Sequence, residues 1–167
     1  LLNYNNVIKS ISLITGKKGL EFSPKRITVS TVGIAKMIKQ LADDEVKFNL
    51  AISLHTAINE KRSKIMPINN SIPLENLRES IDYFYKKTGI RPTYEYILFD
   101  KENDSLEDAE ELARFCKLSP CKINLIEYNC VDDTVFKKSE KKQTQRFISY
   151  LESKNLIVTL RKSKGKD

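Results

Sequence analysis

The residues best suited to chemistry in this chain are Ser53 and His55, which flank Leu54 after a mostly apolar run at 48–52. His55 is the only histidine in the sequence. A hydroxyl and an imidazole both donate and accept hydrogen bonds, and an imidazole also moves protons near neutral pH. Polar side chains that follow strands form the active sites of α/β barrels. We therefore expect these residues to line a site, and the alternative is a hydrogen-bonded structural histidine.

Several predicted strands have one polar face. Side chains alternate across a strand, so Ser53 shares its face with small or polar neighbours. In the same way Ser30 shares a face with Thr28, and Glu95 alternates with tyrosines at 93–99. Buried parallel strands are usually apolar on both faces. The polar faces therefore predict a lumen that holds a polar ligand, and hydrogen bonds satisfied within a barrel interior are the alternative.

Asn129 is a further candidate, at the end of the predicted strand at 122–128. Its carboxamide offers both donors and an acceptor, as recognition of a base edge or an amino acid requires. Its parity differs from that of Asn124, so alternation leaves open which of the two faces inward. A turn-forming asparagine is the alternative for Asn129. No serine or cysteine motif pairs with the histidine as a nucleophile would.

The elements that must position these side chains are five predicted strands, at 27–31, 48–53, 93–99, 122–128 and 156–160. Helical patterns lie at about 5–15, 32–42 and 73–88, from 105, from about 139 to 154, and briefly at 60–64. Strand alternating with helix predicts an α/β fold with mostly parallel strands. The absence of a G-x-G-x-x-G motif or P-loop argues against a nucleotide cradle. A partial TIM-like (β/α) barrel is predicted, since a complete one needs about 250 residues.

Composition limits the partners and the compartment. The net charge of +7 favours an RNA or DNA partner. No signal peptide or apolar run of about 20 residues is visible, so no membrane partner is predicted. Cys116, Cys121 and Cys130 form a C-x4-C-x8-C pattern that matches no common metal motif, and the first two are expected in the core. Their odd number predicts a reducing, cytoplasmic location.

Four ordered motifs resemble one family. They are ITVSTVG at 27–33, NLAISLH at 49–55, KIMPIN at 64–69, and CKINLI at 121–126 followed by Asn129. In order and spacing they resemble the radical S-adenosylmethionine (SAM) RNA adenine-C2 methyltransferases, over essentially the whole chain. The family's C-x3-C-x2-C cluster motif is not in the sequence. We therefore expect residues 1–167 to be one truncated domain, the central-to-C-terminal part of a radical SAM barrel.

The resemblance implies roles for individual residues. Ser30, Ser53 and His55 would line the SAM pocket, with Leu54 supplying a backbone contact, and Asn129 would bind SAM at its strand end. A [4Fe-4S] cluster would be bound by a missing N-terminal part, and a methyl-carrying cysteine would lie in a missing C-terminal segment. No catalytic or metal-binding residue is therefore expected in this chain.

The implied reaction is methylation of C2 of adenine in 23S rRNA and tRNA, with an electron donor such as a flavodoxin-type reductant. The fragment alone is expected to be inactive. Basic residues that could contact phosphates are Lys137, Lys138, Lys141, Lys142, Arg161 and Lys162. Two alternatives stay open: a paralogue that methylates C8 of adenine in rRNA, and a non-catalytic basic RNA-binding α/β module.

Overall fold

The computed structural model describes residues 2–131 and 134–161. Its strands are β1 (Thr28–Thr31), β2 (Asn49–Ser53), β3 (Thr93–Leu98), β4 (Lys122–Glu127) and β5 (Val158–Arg161). Its α-helices are α1 (Tyr4–Thr15), α2 (Ala35–Asp43), α3 (Asn59–Ile65), α4 (Leu74–Thr88), α5 (Leu106–Phe115) and α6 (Lys141–Ser153). Short 3₁₀ helices occupy Pro24–Arg26 and Pro67–Asn70. All five predicted strands and all six predicted helices are confirmed, with shifts of three residues or fewer at the ends compared.

The strands form one parallel sheet in the order β1-β2-β3-β4-β5. Crossovers between parallel strands are right-handed in nearly all proteins. A strictly sequential order therefore puts the connecting helices on one face of the sheet, as in a (β/α) barrel and unlike a doubly wound fold. The predicted α/β class with parallel strands is confirmed.

The hydrophobic core lies between the sheet and the helices that cover one of its faces. Tyr94 and Tyr96 of β3 point into it and are almost fully buried. Tyr94 packs edge-on against Phe115 of α5, with ring centroids 5.4 Å apart, and Tyr96 packs at the same centroid distance against Phe147 of α6. The two aromatic pairs pack α5 and α6 against the same strand, so β3 lies at the centre of the core.

Local signals set the helix ends. Ser105 and Asp108 form a capping box at the start of α5. Gly89 ends α4 with a φ of 68°, which a glycine adopts without steric cost. The predicted start of α2 at residue 32 is wrong, because the chain first turns through Gly33 at a φ of 96°. The Gly33 N–H donates to Thr31 Oγ1 at 3.2 Å, and the helix begins only at Ala35.

No helix in the described ranges has the length and apolar character needed to cross a membrane.

Candidate functional site

The sheet face opposite the helices carries a row of polar side chains. The register places Ser53, Glu95, Asn124 and Thr159 side by side on β2 to β5. We call these four residues the open-face row. The first three are half-buried and Thr159 is exposed. Within residues 2–131 and 134–161, none of the four side chains has a hydrogen-bond or ion-pair partner. The prediction of one polar face is confirmed, and Asn124 lies on it.

Ser30 lies on the same face, on β1. Its register partner is Ala51, which stands two residues before Ser53 on β2. The Ser30 side chain is exposed. The structure therefore brings both predicted serines to the open face, on neighbouring strands.

His55 lies just beyond β2, where the chain leaves the sheet. Its φ of 59° puts it in the left-handed region. Its backbone N–H and that of Leu54 both donate to the carbonyl oxygen of Glu95, at 3.2 and 2.9 Å. The backbone N–H of Ile97 donates to His55 Nδ1 at 3.2 Å. Because a backbone amide can only donate, Nδ1 carries no proton, and the neutral ring has its hydrogen on Nε2.

The electrostatic surroundings keep this imidazole neutral. Burial, followed by the positive charge of Arg62, lowers the pKa of His55 to about 4. At neutral pH the ring is therefore an uncharged hydrogen-bond donor through Nε2. This state suits a contact with a ligand, and the acceptor nitrogen is already engaged with the backbone.

Asn103 stabilises the turn at His55 through side-chain hydrogen bonds, and the sequence analysis did not identify it. Its side chain is fully buried. Its Nδ2 donates to the carbonyl oxygens of His55 and Ile97 at 2.6 and 2.8 Å, and its Oδ1 accepts from the N–H of Phe99 at 2.7 Å. The contact to His55 joins residues 48 positions apart in the chain, so no local sequence pattern indicates it.

Arg62 of α3 is the second residue that sequence reasoning missed. Its guanidinium is fully buried and donates to the carbonyl oxygens of Leu54 at 3.3 Å and Val32 at 3.0 Å. It also donates to Asn69 Oδ1 at 2.9 Å. Burial lowers its pKa to about 10, so the group stays charged at neutral pH. One side chain thus ties together the chain segments that follow β1 and β2.

The KIMPIN motif has a structural role through Asn69, its last residue. The buried Asn69 side chain accepts from Arg62, and its Nδ2 donates to the Asn59 carbonyl oxygen at 3.1 Å and to Ser63 Oγ at 3.0 Å. The motif was the one sequence signal for this network. We call Arg62, Asn69 and Asn103 the buried polar network.

Asn129 lies two residues beyond the end of β4 and is exposed. Parallel strands end at a common edge, so the structure brings Asn129 to the same edge as Ser53 and His55, with β3 between them. Beside it, Phe99 packs against Tyr128 and Phe136, with ring centroids 5.0 and 4.5 Å away. These rings anchor the chain on both sides of the segment that contains Asn129.

The side chains at this edge of the sheet are hydrogen-bonding groups. In the part of the chain that the structure describes, no group of three or more His, Cys, Asp or Glu residues could hold an ion. Cys116 and Cys121 are buried, as predicted, and Cys130 is exposed. The chemistry available at the edge is hydrogen bonding by hydroxyl, carboxamide, carboxylate and neutral imidazole groups.

Comparison with known proteins defines the class. No family model matches the chain. A solved radical SAM methyltransferase from Sphaerobacter thermophilus superposes with a TM-score of 0.95 at 34% identity, over 98% of this chain and 48% of that one. The fold with its polar strand ends is therefore the partial TIM-like barrel of the radical SAM type.

The sequence relatives are more specific. The chain is 54% identical over 167 residues to a protein of Christiangramia forsetii named probable dual-specificity RNA methyltransferase RlmN. It is 53% identical over the same length to a protein of that name from Flavobacterium psychrophilum. The resemblance to the radical SAM RNA methyltransferases is thus confirmed over the whole chain. The chain spans about half of these relatives, 47% and 48% of their lengths.

Proposed function

We propose that this chain is the SAM-holding part of a radical SAM RNA methyltransferase that methylates C2 of adenine in 23S rRNA and tRNA. The observation that carries the proposal is the 54% identity over all 167 residues to a protein named as a dual-specificity RNA methyltransferase. The polar strand ends give this chain a part in that activity, because ligands of open α/β sheets bind beyond the carboxyl ends of the strands.

The residues present fit SAM. Ser30, Ser53 and Asn129 lie on the open face or at its carboxyl edge, and His55 offers a neutral Nε2 donor there. Leu54 is fully buried and its N–H donates to Glu95, so its backbone contact with SAM would use the carbonyl oxygen, which also accepts from Arg62. When bound, SAM supplies the methyl group for transfer. The chain's own contribution would be to orient SAM through hydrogen bonds, with the imidazole of His55 kept uncharged.

The [4Fe-4S] cluster does not fit this chain. Cys116 and Cys121 are buried while Cys130 is exposed, and their C-x4-C-x8-C spacing matches no common metal motif. We assign the cluster ligands and the methyl-carrying cysteine to segments of the protein outside residues 1–167. The electron donor, such as a flavodoxin-type reductant, and the cytoplasmic location belong to the same proposal.

RNA binding would use the basic side of the loop that leads into α6. Lys137, Lys141 and Lys142 are exposed. Lys138 is instead paired with Glu127, with Nζ 3.0 Å from Oε2, so it is a weaker candidate for phosphate contact. Arg161 is exposed at the end of β5, and Lys162 lies outside the described residues.

The test uses the full-length protein, reconstituted anaerobically and supplied with SAM, a reductant and unmodified rRNA or tRNA. Mass spectrometry of the digested RNA should show 2-methyladenosine. Finding 8-methyladenosine instead would favour the C8 paralogue. RNA binding without SAM affinity would favour the non-catalytic module. Residues 1–167 alone should give no methyl transfer, which is the control for the missing segments.

A further inference from the structure

Glu95 stands in the middle of the open-face row without a partner in the described residues. Two other carboxylates near this edge are paired. Asp108 accepts from Lys61 Nζ at 2.8 Å, and Glu127 accepts from Lys138 Nζ at 3.0 Å. Glu95 is half-buried, and a partly buried carboxylate without a counter-charge or donor costs stability. Packing of the fold therefore does not account for this residue.

The neighbours of Glu95 restrict what it could bind. Ser53 and Asn124 flank it in register, each about 4.8 Å away as adjacent strands are spaced. An ionised carboxylate only accepts hydrogen bonds, through two oxygens. A ligand that satisfies both carboxylate oxygens of Glu95 therefore presents two donors close together, while its other groups meet a hydroxyl and a carboxamide on either side.

The backbone of Glu95 already belongs to the proposed SAM site. Its carbonyl oxygen accepts the N–H groups of Leu54 and His55, at 2.9 and 3.2 Å. A ligand held by Ser53 and His55 is therefore next to the Glu95 side chain. Among the proposed substrates, the ribose of SAM has two adjacent free hydroxyls. A ribose within an RNA chain has only its 2′-hydroxyl free, because its 3′-oxygen is esterified.

We infer that Glu95 is a further ligand-binding residue, whose carboxylate accepts hydrogen bonds from both ribose hydroxyls of SAM. The inference rests on the proposed function, since it names how the same site grips that cofactor. In dinucleotide-binding folds, which have a different topology, an Asp or Glu carboxylate hydrogen-bonds the 2′-hydroxyl of a ribose.

The experiment compares the full-length protein with its Glu95→Gln and Glu95→Ala variants. Glu79→Gln is the matched control, because Glu79 is an exposed glutamate on α4 away from the sheet. The dissociation constants of SAM, 5′-deoxyadenosine and 2′,5′-dideoxyadenosine are measured by calorimetry. The KM for RNA and the thermal unfolding midpoint are measured alongside.

A hydrogen bond to a charged group predicts that Glu95→Gln weakens SAM binding about 10- to 100-fold. Wild type and Glu79→Gln should prefer 5′-deoxyadenosine to the dideoxy analogue, and Glu95→Gln should lose this preference. The unfolding midpoint of Glu95→Gln should stay level or rise, because an unpaired carboxylate is removed. This last readout separates a ligand contact from a structural role.

Three results would overturn the inference. SAM affinity could be unchanged in Glu95→Gln while the KM for RNA rises, which would make Glu95 an RNA contact. The variant could lose stability, which would indicate an ion pair with another part of the protein. Glu95→Gln could also weaken both analogues equally, without loss of discrimination. In each case SAM binding by the wild type would leave the proposed function standing, whereas its absence would reject both.

Discussion

The two polar regions of the molecule, the buried polar network and the open-face row, differ in one respect. Every member of the buried polar network, Arg62, Asn69 and Asn103, is hydrogen-bonded within the described residues. No side chain of the open-face row has such a partner there. Buried polar groups need hydrogen-bond partners within the fold, whereas half-exposed groups are free to bind water or a ligand. The buried polar network therefore stabilises the fold, whereas the open-face row is available to bind a ligand.

Loss of Arg62 should have the largest effect. Arg62→Ala leaves the carbonyl oxygens of Leu54 and Val32 and Asn69 Oδ1 without their donor, so we expect the free energy of unfolding to fall by about 4 kcal/mol. Urea unfolding of the full-length protein measures this. Arg62→Lys restores the charge but not the fork, and should recover only part of the loss. An unchanged urea unfolding midpoint in Arg62→Ala would show that the buried polar network does not stabilise the fold.

Loss of Asn103 should come next. Asn103→Ala removes the bonds to His55, Ile97 and Phe99, and we expect a loss of about 3 kcal/mol. SAM affinity should fall as well, because the turn at His55 is no longer held. Asn103→Asp is the matched variant, since it keeps the acceptor for Phe99 but loses the donors. Its SAM affinity should fall as far as that of Asn103→Ala, measured by calorimetry. Full SAM affinity in either variant would contradict this role.

The pH dependence of stability tests His55. Its pKa is about 4 in the folded protein and about 6.5 unfolded. The unfolded chain therefore binds the extra proton first, so stability is full above pH 6.5 and falls towards pH 4. We expect a loss of about 2 kcal/mol across this window, after discounting for partial exposure. Urea unfolding at several pH values measures the slope, and His55→Gln should flatten it. An equal slope in the variant would assign the effect elsewhere.

Ser53 should show the opposite behaviour to the network. Ser53→Ala removes a hydroxyl that has no partner in the described chain, so the unfolding free energy should change by no more than about 0.5 kcal/mol. SAM binding should weaken about fivefold to tenfold if the hydroxyl contacts the cofactor. Calorimetry and thermal unfolding on the same sample give both values. Ser10→Ala, at an exposed position of α1, is the control. A large loss of stability in Ser53→Ala would show that the Ser53 hydroxyl supports the fold, as the buried polar network does.

The sequence predicted the open-face row far better than the network. Alternation around Ser53 and Glu95 is local, so the polar face could be read directly from the strands. The capping box at Ser105 was equally local. Arg62 and Asn103 were missed because their partners lie up to 48 residues away, and burial of an arginine has no local pattern. The start of α2 was missed because the turn at Gly33 interrupts an otherwise helical run of apolar residues.

The left-handed backbone conformation at His55 carries an energetic cost. Such a conformation costs a non-glycine residue about 1 kcal/mol. Among the described residues, the other non-glycine positions with positive φ are Glu21, Glu45, Lys101 and Asn155, and all four are exposed. Glycine would adopt this geometry freely but has no imidazole. The chain thus keeps a strained residue at the one half-buried position of this kind, and gives up some ease of folding to present a ring there.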